Sequence, residues 1–137
     1  MSSYVTFTIE DGLYGVEVQR VQEALRAHER TRVPLAPQGV AGLVNLRGQV
    51  VLTVDLRPRL GLPPLGADSA PMMVVVQVAG EPVSLLVDEI GDVVDVPADR
   101  VEAPPDTLDP ELRPLIQSAC PLDDALLLVL DVDQAAA

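Results

Sequence analysis

Residues 44–56 read Val44-Asn45-Leu46-Arg47-Gly48-Gln49-Val50-Val51-Leu52-Thr53-Val54-Asp55-Leu56. Apolar side chains recur at even positions 44, 46, 50, 52, 54 and 56, and polar or charged ones fill most odd positions. A period of two marks a half-buried strand, because successive side chains of an extended chain point to opposite faces. Gly48 is the one residue in the stretch that bends freely, so the corner at 45–48 is the expected turn. The stretch is therefore expected to be a β-hairpin with one apolar face.

The flanking sequence repeats the theme. Residues 4–9 alternate up to the turn signal Glu10-Asp11-Gly12, predicting a strand over 5–9 continued by 13–16. Val18, Val21, Leu25 and His28 fall at helical spacing, which predicts a helix of one or two turns; a strand from Glu23 onward competes with it. Two prolines and a glycine make 34–39 a loop, and Pro and Gly make 57–71 a surface connection. The unbroken apolar run 72–78 reads as a strand covered on both faces, followed after Gly80-Glu81-Pro82 by strands over 83–87 and 93–96. Asp109-Pro110-Glu111 has the chemistry of a helix start, with Pro114 limiting that helix to about a turn. Residues 126–132 form the last expected strand, ahead of a frayed alanine tail. With 22 Val and 20 Leu against three aromatics, and 13 Pro and nine Gly as punctuation, the class is all-β, a sandwich or barrel.

Charge narrows the function. Nine Arg and no Lys face 21 acids, a formal net charge of −12 over 137 residues. Residues 1–60 hold seven Arg and six acids, whereas 61–137 hold two Arg and 15 acids. So acidic a chain repels phosphate backbones and anionic lipid, which argues against nucleic-acid partners. No run approaches the length of a membrane span and no basic-then-apolar signal opens the chain, so no direct membrane insertion is expected. A lone cysteine, Cys120, makes no internal disulfide and fits a reducing, cytoplasmic setting.

Catalytic constellations do not assemble. Without lysine there is no Schiff-base amine and no Gly-Lys-Ser/Thr phosphate loop. His28 and Cys120, each the sole residue of its type, lie far apart in sequence, and Cys120 reads as a small buried hydrophobe. The acid series Asp88, Glu89, Asp92, Asp95 and Asp99 lacks the calcium-loop spacing and is expected to be solvated. The reading is a non-enzyme with no cofactor and no metal.

A resemblance adds to this. Residues 32–48 (Arg-Val-Pro-Leu-Ala-Pro-Gln-Gly-Val-Ala-Gly-Leu-Val-Asn-Leu-Arg-Gly) resemble the signature of the CheW-like domain. Val21-Gln22-Glu23, Asp55-Leu56-Arg57, residues 86–93 (Leu-Val-Asp-Glu-Ile-Gly-Asp-Val) and residues 123–131 fit the same family in order, so the match runs over nearly all of 4–133. The resemblance implies one domain over 1–137 built of two packed SH3-like β-barrels with one or two short helices. It implies a stand-alone chemotaxis adaptor, recruited to membrane receptor arrays, that couples the cytoplasmic tip of a chemoreceptor to the C-terminal regulatory domain of the histidine kinase CheA. A divergent paralogue, serving another motility or developmental pathway and binding only one partner, is the alternative. Leu52 stands where the family commonly has proline, and the tail lacks the hydrophobic pair that often ends the family.

Carried over residue by residue, the partner-contact region maps to Asn45, Arg47 and Gly48 with Gly42 beside them, and Val21 and Glu23 match a second partner-sensitive segment. For Arg47 a guanidinium fork suits carboxylates or helix-end carbonyls, while a clamp tying the turn to a neighbouring acid competes. Gly42 and Gly48 are equally explained by backbone conformation, Val21 by the core and Glu23 by solvation. Six arginines (Arg26, Arg30, Arg32, Arg47, Arg57, Arg59) flank or enter this region, predicting a less acidic face around Arg47.

Overall fold

The alternating segments build two five-stranded sheets. The computed structural model describes residues 2–26, 40–63, 71–110 and 112–135. Its strands are β1 (Ser2–Ile9), β2 (Gly12–Glu17), β3 (Val21–Arg26), β4 (Val40–Leu46), β5 (Gln49–Asp55), β6 (Met72–Val78), β7 (Glu81–Val87), β8 (Glu89–Val96), β9 (Ile116–Pro121) and β10 (Leu126–Leu130), followed by a short helix α1 (Val132–Ala135). Single 3-10 turns occupy Val18–Arg20, Ala98–Arg100 and Arg113–Leu115.

One sheet has the order β8-β1-β2-β10-β9, and the other β3-β6-β7-β5-β4. The second is therefore a continuous segment inserted between β2 and β8 of the first; we call them the inserted and the terminal sheet. Each contains one parallel pair, β2 with β10 and β5 with β7, among antiparallel ones.

Among the described residues, three apolar clusters divide the interior. Phe7, Ile9, Tyr14 and Val16 of the terminal sheet meet Val54, Val74, Val76, Leu85 and Val87 of the inserted sheet in a shared core, joined by Leu56, Leu130 and Val132. Tyr4, Val96, Cys120, Leu127 and Val129 fill a second cluster within the terminal sheet, and Val44, Val51, Met73 and Leu86 a third within the inserted sheet. Strands β6 and β7 contribute alternately to the shared core and to the third cluster, which is why their sequences are apolar without alternation.

Several expectations need correction. The even positions of 44–56 do not share one face. Arg47 and Gly48 form a two-residue turn, and Leu46 lies opposite Gln49, Asn45 opposite Val50 and Val44 opposite Val51. Such a register puts an even residue of β4 on the same side as an odd residue of β5. Val44 and Val51 consequently share the third cluster, Thr53 is fully buried, and Val50 is 64% exposed. The helical spacing from Val18 yields only the turn Val18–Arg20, and the competing strand prevails as β3. His28 and the loop at 34–39 lie outside the described residues.

Further along, Leu52 sits in an unbroken ladder between Leu43 and Val83, so leucine in place of proline leaves the pairing regular. The connection after β5 is not all surface, since Arg57 is 4% exposed. The 3-10 turn Arg113–Leu115 includes Pro114 instead of stopping before it. Strand β9 went unread in the sequence. The tail is not wholly frayed either: α1 buries Val132 and Ala135.

Candidate functional site

The β4–β5 turn is dictated locally. Arg47 (φ +53°) and Gly48 (φ +84°) both take left-handed conformations, as a tight two-residue hairpin turn of the primed type requires. Asn45 Oδ1 accepts a hydrogen bond from the Gly48 N–H at 2.9 Å, so Asn45 braces the turn from its first strand. A Cβ built on Gly48 meets nothing within 4 Å. Glycine is needed there for φ and not for space.

Arg47 reaches across to Glu23 on β3. Its Nη1 donates to Glu23 Oε2 at 2.5 Å and its Nη2 to Glu23 Oε1 at 2.9 Å, a bidentate fork. The Arg47 side chain is 76% exposed and that of Glu23 18%. The hydrogen bonds and the charge of Glu23 raise the Arg47 guanidinium above its ordinary value. Strands β3 and β4 are the two edges of the inserted sheet, and Leu25 and Leu46 from those edges pack on the same cluster. The ion pair thus joins the sheet's two rims and closes it on itself. The clamp role weighed for Arg47 is the one its geometry takes in the free protein, and Glu23 is its partner instead of a merely solvated acid.

The other expected residues fall in distinct places. Val21 is half-buried against the shared core and ends the preceding 3-10 turn through an N–H bond to the Val18 carbonyl. Gly42 is buried, with φ +141°, next to a bulge in the β4–β5 ladder. Asn45, Arg47, Gly48 and Glu23 are brought together; Gly42 and Val21 are not shown in contact with them. Along the hairpin, exposed Val50 lies opposite Asn45 and half-buried Leu52 opposite half-buried Leu43, an aliphatic strip whose inner end, Leu52, packs on the shared core. A hollow of about 390 Å³ lies elsewhere, lined by Asp99, Arg100, Glu102, Pro121, Leu122 and Asp123 of the terminal sheet and its loops.

The less acidic face expected around Arg47 has fewer arginines to draw on than the sequence offers. Arg57 is buried and committed to Glu10 and Asp88, and Arg59 Nη1 caps α1 through the carbonyls of Gln134 (2.6 Å) and Ala135 (3.1 Å). Arg30 and Arg32 lie outside the described residues, and Arg26 is the exposed last residue of β3, the strand that carries Glu23. Burial of Arg57 was not anticipated, because its partners at 10 and 88 are remote in sequence. Among the described residues, no group of three or more His, Cys, Asp or Glu is placed to hold a metal ion. Within them, no helix is long and apolar enough to cross a membrane.

Known proteins carry the same architecture. A family model described as the CheW-like domain matches residues 3–137. The chemotaxis protein CheW of Bacillus subtilis is 26% identical over 129 residues, covering 94% of this chain and 83% of the relative. That of Klebsiella aerogenes is 24% identical over 131 residues, with 96% and 79% covered. The crystal structure of the scaffolding protein TtCheW from Thermoanaerobacter tengcongensis superposes with a TM-score of 0.85 at 25% identity, covering 95% of this chain and 88% of the other.

Proposed function

Because the chain belongs to the CheW-like domain family, we propose that it couples the cytoplasmic tip of a chemoreceptor to the C-terminal regulatory domain of the histidine kinase CheA. The family is one of scaffolds and not of catalysts, and the two sheets correspond to its two SH3-like barrels. The carrying observation is the family match over residues 3–137, which spans both sheets. Function is therefore adaptor action without chemistry, as a chemotaxis coupling protein.

In this reading the two sheets act as one unit over 1–137, held in the cytoplasm and recruited to receptor arrays through partners. The aliphatic strip beside the Asn45–Gly48 corner receives an amphipathic receptor helix, with Leu43, Val50 and Leu52 meeting its apolar stripe. Arg47, already extended over the rim, offers the charged contact beside it and Glu23 holds it there, while Gly42 and Val21 are the further residues proposed to influence partner binding. A second face, on the terminal sheet, pairs with the kinase's homologous barrel. Few aromatics are available as anchors, so affinity for each partner alone is moderate.

Reconstitution of receptor-dependent kinase activation tests the proposal: the purified chain raises kinase activity only when receptor is present. Arg47→Glu abolishes association in a pull-down. The charge swap Glu23→Arg/Arg47→Glu rebuilds the rim pair in reverse, and association stays lost if Arg47 touches the partner directly. Unchanged association of Arg47→Glu with both partners would sink the assignment.

A further inference from the structure

The chain passes between the two sheets twice: through the 3-10 turn Val18–Arg20, and through Asp88, the single residue between β7 and β8. An arginine sits at each passage, and the two differ in kind. Arg20 donates to the Gln77 carbonyl (3.1 and 2.8 Å) and to Asp133 (2.7 Å), with 32% of its own side chain and 60% of that of Asp133 exposed. Arg57 is withdrawn from solvent and, among the described residues, is the one charged residue in the buried set.

Arg57 gathers three segments. Its Nη2 donates to both Asp88 carboxylate oxygens (2.6 and 2.8 Å), and its Nη1 to Glu10 and to the Pro63 carbonyl (2.9 Å). Asp88 also accepts the Glu10 N–H at 2.7 Å and donates its own N–H to the Thr8 carbonyl at 2.9 Å. The β1–β2 turn of the terminal sheet, the passage residue and the end of β5 in the inserted sheet are thereby fastened to one planar group. Glu10 holds φ +54°, a conformation side-chain-bearing residues resist, and does so with both its carboxylate and its N–H engaged in this network. A guanidinium fork fixes direction as well as distance, which a flexible ammonium does not.

We infer that Arg57 is a positioning residue of the adaptor: it sets the angle between the two sheets and so the relative placement of the two partner faces. The inference rests on the adaptor reading, with one partner on the inserted sheet and the other on the terminal sheet. Simultaneous binding of two partners depends on geometry even where each separate contact is intact.

The experiment has one arm without partners and one with them. Spin labels at Glu81→Cys on the inserted sheet and Leu126→Cys on the terminal sheet, in a Cys120→Ala background, report the inter-sheet distance by double electron–electron resonance. The distribution is expected to broaden or shift in Arg57→Lys, and in the milder Glu10→Gln should the first fail to fold, but not in Arg20→Gln. With a receptor cytoplasmic fragment and the kinase C-terminal domain, the same variants are expected to bind each partner alone within about two-fold of wild type. Formation of the three-component complex falls by about ten-fold or more. Unchanged distances in the Arg57 and Glu10 variants overturn the inference, and so does a ternary loss no larger than the product of the two single losses. A wild-type chain that fails to bridge the partners overturns the adaptor reading instead, while the distance arm still judges Arg57.

Discussion

Two turns of the inserted sheet provide a matched pair of substitutions. Gly48 follows Arg47 (φ +53°) with φ +84°, and Gly80 follows Ala79 (φ +52°) with φ +81°. Both close two-residue hairpins, and a Cβ built on either meets nothing within 4 Å. Alanine at either site therefore introduces no clash, only a left-handed residue with a Cβ, at a cost of about 1–2 kcal/mol. A loss of that size lowers the melting temperature of a chain this long by about 5 °C. Gly48→Ala and Gly80→Ala are expected to lose the same stability in urea unfolding, with the midpoint falling and the slope unchanged. Only Gly48→Ala is expected to weaken receptor binding, because it alone lies beside Arg47. Equal loss of binding in both variants would show that Gly48 matters through the fold and refute the contact role. Markedly unequal stabilities would refute the account of the turns.

Other consequences follow from burial. Thr53 and Ser84 face each other across β5 and β7, fully buried, with hydroxyls that have no hydrogen-bond partner among the described residues; Thr53→Val is expected to be neutral or to stabilise by about 1 kcal/mol, and a clear destabilisation in urea would mean the hydroxyl has a partner. Leu56→Ala empties a fully buried site in the shared core and is expected to cost about 3 kcal/mol, with both sheets still melting in one calorimetric transition; two separate transitions would deny that the core is shared. Burial raises the Cys120 thiol, helped by the nearby charge of Glu102, and burial also raises the Tyr14 phenol. Each proton is thus held more tightly folded than unfolded, so this contribution is full below about pH 8.5 and is lost as pH climbs towards the folded values. Urea midpoints measured from pH 7 to 10 are expected to fall, less steeply in Cys120→Ala, and a rise would contradict the sign.

How much of this was legible beforehand depended on whether the deciding interaction was local. Alternation at 5–9, the run 72–78 and the turns at Gly48 and Gly80 could be read because neighbouring residues determine them. Strand β9 could not, since Ser118, Ala119 and Cys120 carry little strand preference and are held by remote partners: all three pair with β10, and Cys120 packs in one cluster with Tyr4 and Leu127. The parity error in 44–56 arose because even positions look continuous in sequence, whereas a two-residue turn reverses which parity faces inward. Local sequence marks Asn45–Gly48 as a corner, yet the pairing of Arg47 with Glu23 depends on sheet closure, which no short stretch encodes. Arg57 looked like a surface residue because arginine usually is one.

The insertion of one sheet within the other has a further consequence for how the chain is made. Strands β3 to β7 are consecutive, so the inserted sheet can be completed as soon as residue 87 has left the ribosome. The terminal sheet cannot: β2 must wait for β10, pairing Leu13 with Leu127, and the β1–β2 hairpin stays half-covered until then. Late, long-range parallel pairing of this kind is slow and leaves strand edges open in the interval. During synthesis the finished sheet is the natural template on which Phe7, Ile9 and Val16 can rest, through the core they share with it. A truncation just before β9 should therefore leave a nascent chain whose inserted sheet is folded and whose opening hairpin is parked, apolar side down, awaiting its last two strands.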